Sequence, residues 1–169
     1  RLNGYLEVAG PGADVIVANP NGITVNGAGF INIPKATLTT GKVTMSGDRP
    51  NFNISGGDVS IEGKGLDASK SNLDIYSQSI KLNAELNAKK LKLVVGKNTI
   101  DSLGKVTAKA DNSGGYGLDS SALGGIYANA ITRIGTQKGV GVNLPGEMLL
   151  QDSLSITVDG KISLGKVLA

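Results

Sequence analysis

Three observations predict an all-β chain wound as a parallel β-helix with short extra-helical loops or strands. Apolar and polar residues alternate with period two along most of the sequence. The stretches so marked are short, and Gly, Asn, Ser or Asp separate them every few residues. Three strand-and-turn units make roughly 20 residues, the length of one helical coil. Each coil would stack about 4.8 Å above the last, so eight or so coils would form a rod on the order of 40 Å long. One such domain is expected to occupy residues 1–169.

The elements follow in order. Asp14-Val15-Ile16-Val17-Ala18 leads into the turn Asn19-Pro20-Asn21-Gly22, and Ile23 resumes the strand. A second Asn-Gly turn follows at Asn26-Gly27. Phe30 to Ile33 and Ala36 to Thr39 are strands split by Pro34. Lys42 to Met45, Asn51 to Ile54 and Asp58 to Glu62 repeat the same grammar. The centre is clearest: Leu73, Ile75, Ile80, Leu82, Ala84, Leu86, Leu91, Leu93 and Val95 alternate with Asp, Ser, Lys, Asn and Glu. Side chains alternate across a strand, which puts one aliphatic row inward and one polar row outward. The 84–95 stretch has some helical periodicity, but its period-two pattern runs smoothly into Val95 and favours strand. Val106 to Ala108, Gly125 to Ala128, Ile131 to Ile134, Val140 to Val142, Leu154 to Val158 and Ile162 to Leu164 complete the series. The glycine-rich run from Asp111 to Gly117 reads as a loop or coil irregularity.

Composition agrees. Gly is 25 of 169 residues, about double the usual ~7%. Aromatic content is 4%, so the core falls to Val, Ile, Leu and Ala, a thin repetitive filling suited to stacked layers. Absence of Cys excludes disulfides and thiolate chemistry, and absence of His removes the commonest general base and transition-metal ligand. The net charge of +3 comes from scattered lysines of which only Lys89 and Lys90 are adjacent, with few rings for bases to stack on. Nucleic acid is therefore not an expected partner, nor is a small-molecule substrate, and no cofactor or metal is expected. No apolar stretch approaches the ~18 residues of a membrane helix. Arg1-Leu2-Asn3-Gly4 opens in mid-pattern, without a signal peptide, as in a cut or mature segment. The first coil would then present a bare strand edge, an aggregation hazard unless another segment covers it.

The most informative run is Asn19 to Ile23. Pro20 presets φ at the second position of a type I turn, Asn21 tolerates the third, and Gly22 accepts positive φ before the strand resumes. Asn19 is held extended by the following proline, and its amide can bond local backbone.

With Leu2-Asn3-Gly4-Tyr5-Leu6-Glu7-Val8-Ala9-Gly10 before it, and Gly29-Phe30-Ile31-Asn32 and Ala36-Thr37-Leu38-Thr39-Thr40-Gly41 after it, this block resembles the amino-terminal secretion domain of two-partner-secretion (TPS) exoproteins. The family includes filamentous haemagglutinins, high-molecular-weight adhesins and CdiA-type contact-dependent growth-inhibition effectors. Ala122 to Asn129, Ile134-Gly135-Thr136 and Gly139 to Asn143 match as a second block. The resemblance implies a right-handed β-helix exported through an outer-membrane TpsB-type transporter, recognised in the periplasm by its POTRA modules and folded at the bacterial cell surface. It makes Asn19, Pro20, Asn21, Gly22 and Ile23 the candidate secretion motif, setting coil register and supporting recognition.

Two departures stand out. Members usually carry an upstream Asn-Pro-Asn motif ending in Leu, with strands that cap the helix. Its absence implies that the amino-terminal, transporter-recognition part is missing here, either because the chain is truncated or because that part was cleaved off and accompanies it as a separate chain. Some members also place a Cys-x-x-Cys pair where this chain has Val25 and Ala28.

The rivals are a polysaccharide-acting β-helix enzyme and an adhesive β-helix. An enzyme needs clustered carboxylates, whereas Asp58, Glu62, Asp67, Asp101 and Asp111 are spaced as outward or turn residues. Gly56-Gly57-Asp58 and Gly114-Gly115-Tyr116-Gly117 are only fragments of a calcium-binding nonapeptide. An adhesive surface could use Lys70, Lys81, Lys89, Lys90 and Lys92 as a basic strip, against which stands the simpler role of solvated lysines blunting a sheet edge.

Overall fold

A computed structural model describes residues 1–109, 116–120, 125–136, 141–158 and 160–169. Its strands run β1 (Leu2–Glu7), β2 (Val15–Ala18), β3 (Ile23–Ile31), β4 (Lys35–Thr39), β5 (Lys42–Ser46), β6 (Arg49–Asn53), β7 (Asp58–Ser77), β8 (Ser79–Leu82) and β9 (Leu86–Val95). They continue as β10 (Asn98–Ile100), β11 (Val106–Lys109), β12 (Tyr116–Ser120), β13 (Ile126–Thr136), β14 (Gly141–Leu144), β15 (Met148–Leu150), β16 (Leu154–Thr157), β17 (Ile162–Leu164) and β18 (Val167–Leu168). Among the described residues there is no helix, hence none long and apolar enough to cross a membrane.

Fourteen strands form one parallel sheet that winds into coils. Inward rows stack along it, and one from each of its three faces shows the pattern. One runs Ile23, Val59, Ile80, Leu118, Val142 and Ile162. A second runs Ala28, Leu66, Leu86, Ile126, Met148 and Val167. The third runs Val15, Ala36, Leu73, Leu91, Ile131 and Leu154. All but the outermost rungs are buried in a single cluster. The parallel β-helix and the inward row of the 73–95 stretch are therefore as the alternation predicts, and 86–95 is strand. The longest ladders, β1-β3-β7-β8-β12-β14-β17 and β1-β3-β7-β9-β13-β15-β18, have seven strands each. That gives a rod of about 30 Å rather than 40.

Strand lengths depart from expectation. β7 spans 20 residues and β13 spans 11, because backbone pairing continues round the corners through register shifts between Ala68 and Asn72 and between Ile131 and Arg133. The Asn26-Gly27 turn is one such shift inside β3 rather than a break. The break falls instead at Asn32, whose φ of 56 ends β3 and whose Nδ2 donates to the Val8 and Gly10 carbonyls at 2.7 Å each.

A second correction concerns 42–54 and 106–109. These strands are not coils: β5, β6, β10 and β11 form a separate antiparallel sheet. Phe52, Ile54 and Ile100 from this sheet bury Tyr76 and Val94 on the outside of the helix. The Phe52 and Tyr76 rings meet edge to face at 5.1 Å. Two aromatic or aliphatic residues in the outward row are what call for such a cover. The 111–115 part of the glycine-rich run, and Val140, lie outside the described residues.

Candidate functional site

The motif sits at the corner between β2 and β3. Gly22 N–H donates to the Asn19 carbonyl at 3.0 Å, closing the four-residue turn. Asn19 Oδ1 accepts from Asn21 N–H at 3.0 Å, an Asx turn inside it. Asn21 is not among the positive-φ residues, which excludes a type II turn and agrees with type I. Gly22 has φ of 113, and a Cβ there would lie 3.0 Å from the Asp58 carbonyl of the neighbouring coil. The glycine is thus required both by conformation and by close approach.

Asn19, Pro20 and Asn21 are exposed, whereas Ile23 is buried and anchors the turn in the core. Asn19 N–H donates to the Thr39 carbonyl at 3.0 Å, carrying the β2–β4 pairing one residue past Ala18. The same corner continues upward: Thr40 N–H donates to the Tyr76 carbonyl at 3.1 Å, and Gly96 N–H to the Ser77 carbonyl at 2.9 Å. Buried hydroxyls complete the backbone pairing where the chain turns. Thr40 Oγ1 donates to the Gly56 carbonyl at 2.7 Å, and Ser77 Oγ to the Ser79 carbonyl at 2.7 Å. From this corner the chain also leaves to build the antiparallel sheet, once after Thr40 and once after Gly96.

A shallow groove beside the motif is lined by Asn21, Gly22, Thr24, Asp58, Ser60 and Lys81. Its charges are already matched, with Lys81 Nζ 3.3 Å from Asp58 Oδ2 and Ser79 Oγ donating to Asp58 Oδ1. Val25 and Ala28 face inward and are buried, filling the core on either side of the β3 register shift.

The other acidic residues named from sequence are held apart in function. Glu62 pairs with Arg1 at 3.0 Å. Asp101 Oδ1 accepts the Leu103 and Lys105 amides within its own turn. Among the described residues no group of three or more His, Cys, Asp or Glu could hold a metal ion. The lysines do not form one strip: Lys81 is on Asp58, Lys92 Nζ donates to the Gly104 carbonyl at 2.7 Å, and Lys70 and Lys89 line a different groove.

That groove contains a feature the alternation gave no sign of. Tyr5 reaches across the sheet, and its hydroxyl donates to Asp67 Oδ2 at 3.2 Å. The Ser69 hydroxyl and amide bind Asp67 Oδ1 at 2.6 and 3.1 Å. The Ser69 hydroxyl, then its amide, hold the Asp67 carboxyl below the usual range against a small opposing effect of burial, and Tyr5 and Lys70 add to the lowering. Tyr5 in turn is pushed up by its bond to Asp67. A carboxyl whose folded pKa is depressed stabilises the fold above its unfolded value of about 3.9, and the contribution is lost as pH falls through the folded value. Thermal melts at falling pH should therefore show a shallower acid loss for Asp67→Asn than for the parent chain.

The profile of the TPS secretion domain matches residues 1–164. The chain is 42% identical over its full length to a tRNA nuclease CdiA of Yersinia mollaretii, of which it covers 6%. It is 34% identical over 98% of its length to the filamentous hemagglutinin of Bordetella pertussis, covering 5% of that protein. A crystal structure of a filamentous hemagglutinin secretion domain superposes with a TM-score of 0.82 at 31% identity, covering 99% of this chain and 67% of the other.

Proposed function

Because the chain belongs to the TPS secretion domain family, we propose that it is the export and folding-nucleating segment of a large exoprotein. Its role is non-enzymatic: the POTRA modules of an outer-membrane TpsB-type transporter recognise it in the periplasm, and it folds on emerging at the cell surface. The chain spans 5–6% of the full-length relatives, so whatever a parent protein does as a toxin, adhesin or haemolysin would reside mainly elsewhere.

The observation that carries the reading is the family match along residues 1–164 joined to a coil-by-coil construction. Each completed coil buries several aliphatic side chains, at ~1.5–3 kcal/mol apiece before ordering entropy is subtracted. An emerged coil that has folded resists sliding back, which supplies direction without a nucleotide.

Asn19 to Ile23 is the motif through which the proposal is tested. Asn19→Ala removes the acceptor for Asn21 N–H, and Gly22→Val forces a branched residue to positive φ against Asp58. With the cognate transporter present, both variants should reach the surface at reduced levels, Gly22→Val the lower. Wild-type surface levels for both would count against the motif's part in export. Normal export of the intact parent protein without any TpsB-type transporter would overturn the function itself.

A further inference from the structure

The antiparallel sheet ends on an open edge. β5 pairs with β6 alone, and Ser46 and Arg49 close a two-residue turn at Gly47 and Asp48. The closing pair of such a turn exchanges its backbone bonds, and the pairs beyond it alternate. Ser46, Thr44 and Lys42 therefore bond to β6, whereas Val43 and Met45 turn their N–H and C=O groups away from it. Pro50, opposite Met45 and lacking an N–H, fits that register. Nothing among the described residues pairs with the outer side of Val43 or Met45. Sheet edges are ordinarily blunted by proline, a bulge or an inward charge, and β5 has none of these.

The same strand overhangs a cleft. Met45 is 57% exposed and Pro50 half-buried, and with Phe52 they face Val15, Ile16 and Tyr76 across a space of about 310 Å³. The charged residues lining it are Asp14, Asp48, Asp74 and Asp101 against Lys35. Lys35 already lies 3.5 Å from Asp74, and Lys92 behind the rim donates to the Gly104 carbonyl. Alternation puts Arg49 on the opposite face of the hairpin from Pro50 and Phe52. Asp14 and Asp48 are exposed and have no partner among the described residues. The chain as a whole carries +3, so the cleft opposes the sign of the molecule around it.

We propose that β5 and this cleft form a docking site for an extended basic peptide segment of a partner protein. The segment adds as a strand along Val43 and Met45, whose free backbone groups supply the affinity. Its residue opposite Met45 sends a side chain to the same face, into the cleft, where an aliphatic group covers Ile16 and Met45. Side chains two residues to either side reach the rim, where arginine or lysine meets Asp14 and Asp48. An open edge alone would take any strand; the acids choose a basic one. The site draws on residues from Asp14 to Gly104 and exists only in the folded chain, so it is independent of any recognition before folding.

The test is fluorescence anisotropy of a labelled heptapeptide, acetyl-Thr-Arg-Thr-Leu-Thr-Arg-Thr-amide, titrated with the chain. It should bind, and more weakly as salt is raised. Asp14→Asn/Asp48→Asn should weaken it about fivefold at low salt, the worth of two exposed ion pairs. The peptide with both arginines replaced by glutamate should not bind. N-methylation of its leucine should abolish binding by removing the donor to the Met45 carbonyl. An unchanged melting temperature shows the variant folded, and sedimentation as a monomer shows the edge free. Failure of the parent peptide to bind, equal affinity for the glutamate peptide, undiminished binding after N-methylation, or a dimer that already occupies β5 would each overturn the proposal.

Discussion

Gly65→Val should be the most damaging single substitution in the corners. Gly65 has φ of 73 within β7, a region where a β-branched residue is strained. A Cβ there would also fall inside contact distance of the Glu85 carbonyl on the next coil. That carbonyl accepts the Leu66 amide at 3.0 Å, so backing away from the clash breaks a rung. The two effects together should cost roughly 2–4 kcal/mol. In a domain of this size the melting temperature would drop on the order of 10 °C. Gly65→Ala, with a smaller side chain at the same φ, should lose less but still measurably. A melting temperature for Gly65→Val within a degree or two of wild type would show that the corner yields freely.

Leu91→Ala should be nearly as severe for a different reason. Leu91 is fully buried, between Leu73 on one side and Ile131 on the other in the third inward row. Its loss opens a cavity in the middle of a stack, where neighbours are fixed by backbone pairing above and below and cannot collapse inward. Such truncations cost about 2–5 kcal/mol, with poorly relaxing sites at the upper end. Denaturant unfolding should show a lower midpoint with an unchanged slope. The same change at Leu168, on the last described rung and 36% exposed, should cost far less. Equal losses at the two positions would contradict a layered core.

The inward rows were legible because a β-helix repeats one local rule: residues such as Leu73, Ile75, Leu91 and Leu93 obey period two and meet their counterparts a coil away. The turn at Asn19 was legible for a similar reason, since proline and glycine fix its shape within four residues. What local rules did not encode were partners distant in sequence. Lys42 to Met45 and Asn51 to Asn53 alternate like any coil strand, yet they pair antiparallel with each other. Only Tyr76 and Val94, two bulky residues facing outward in a row otherwise made of small side chains, hinted that something had to lie over them. The Tyr5 groove was hidden for the same reason. Tyr5, Gly29 and Asp67 are adjacent only by register, and nothing in the intervening sequence announces that the three meet.

The antiparallel sheet has one more implication, for the order of assembly. Ile100 pairs with Phe52 and Thr99 with Asn53, although the two arms depart from coils separated by a further turn of the rod. A chain delivered end first can lay down its early rungs singly, but this clasp stays open until residue 100 has arrived. Phe52 can meet Tyr76 as soon as both are present, but Ile100, the last member of the cluster to arrive, completes the cover. For a chain delivered end first, closing this sheet at Ile100 would add one larger step to the coil-by-coil gain, tying Lys42 to Ile100 into a single unit.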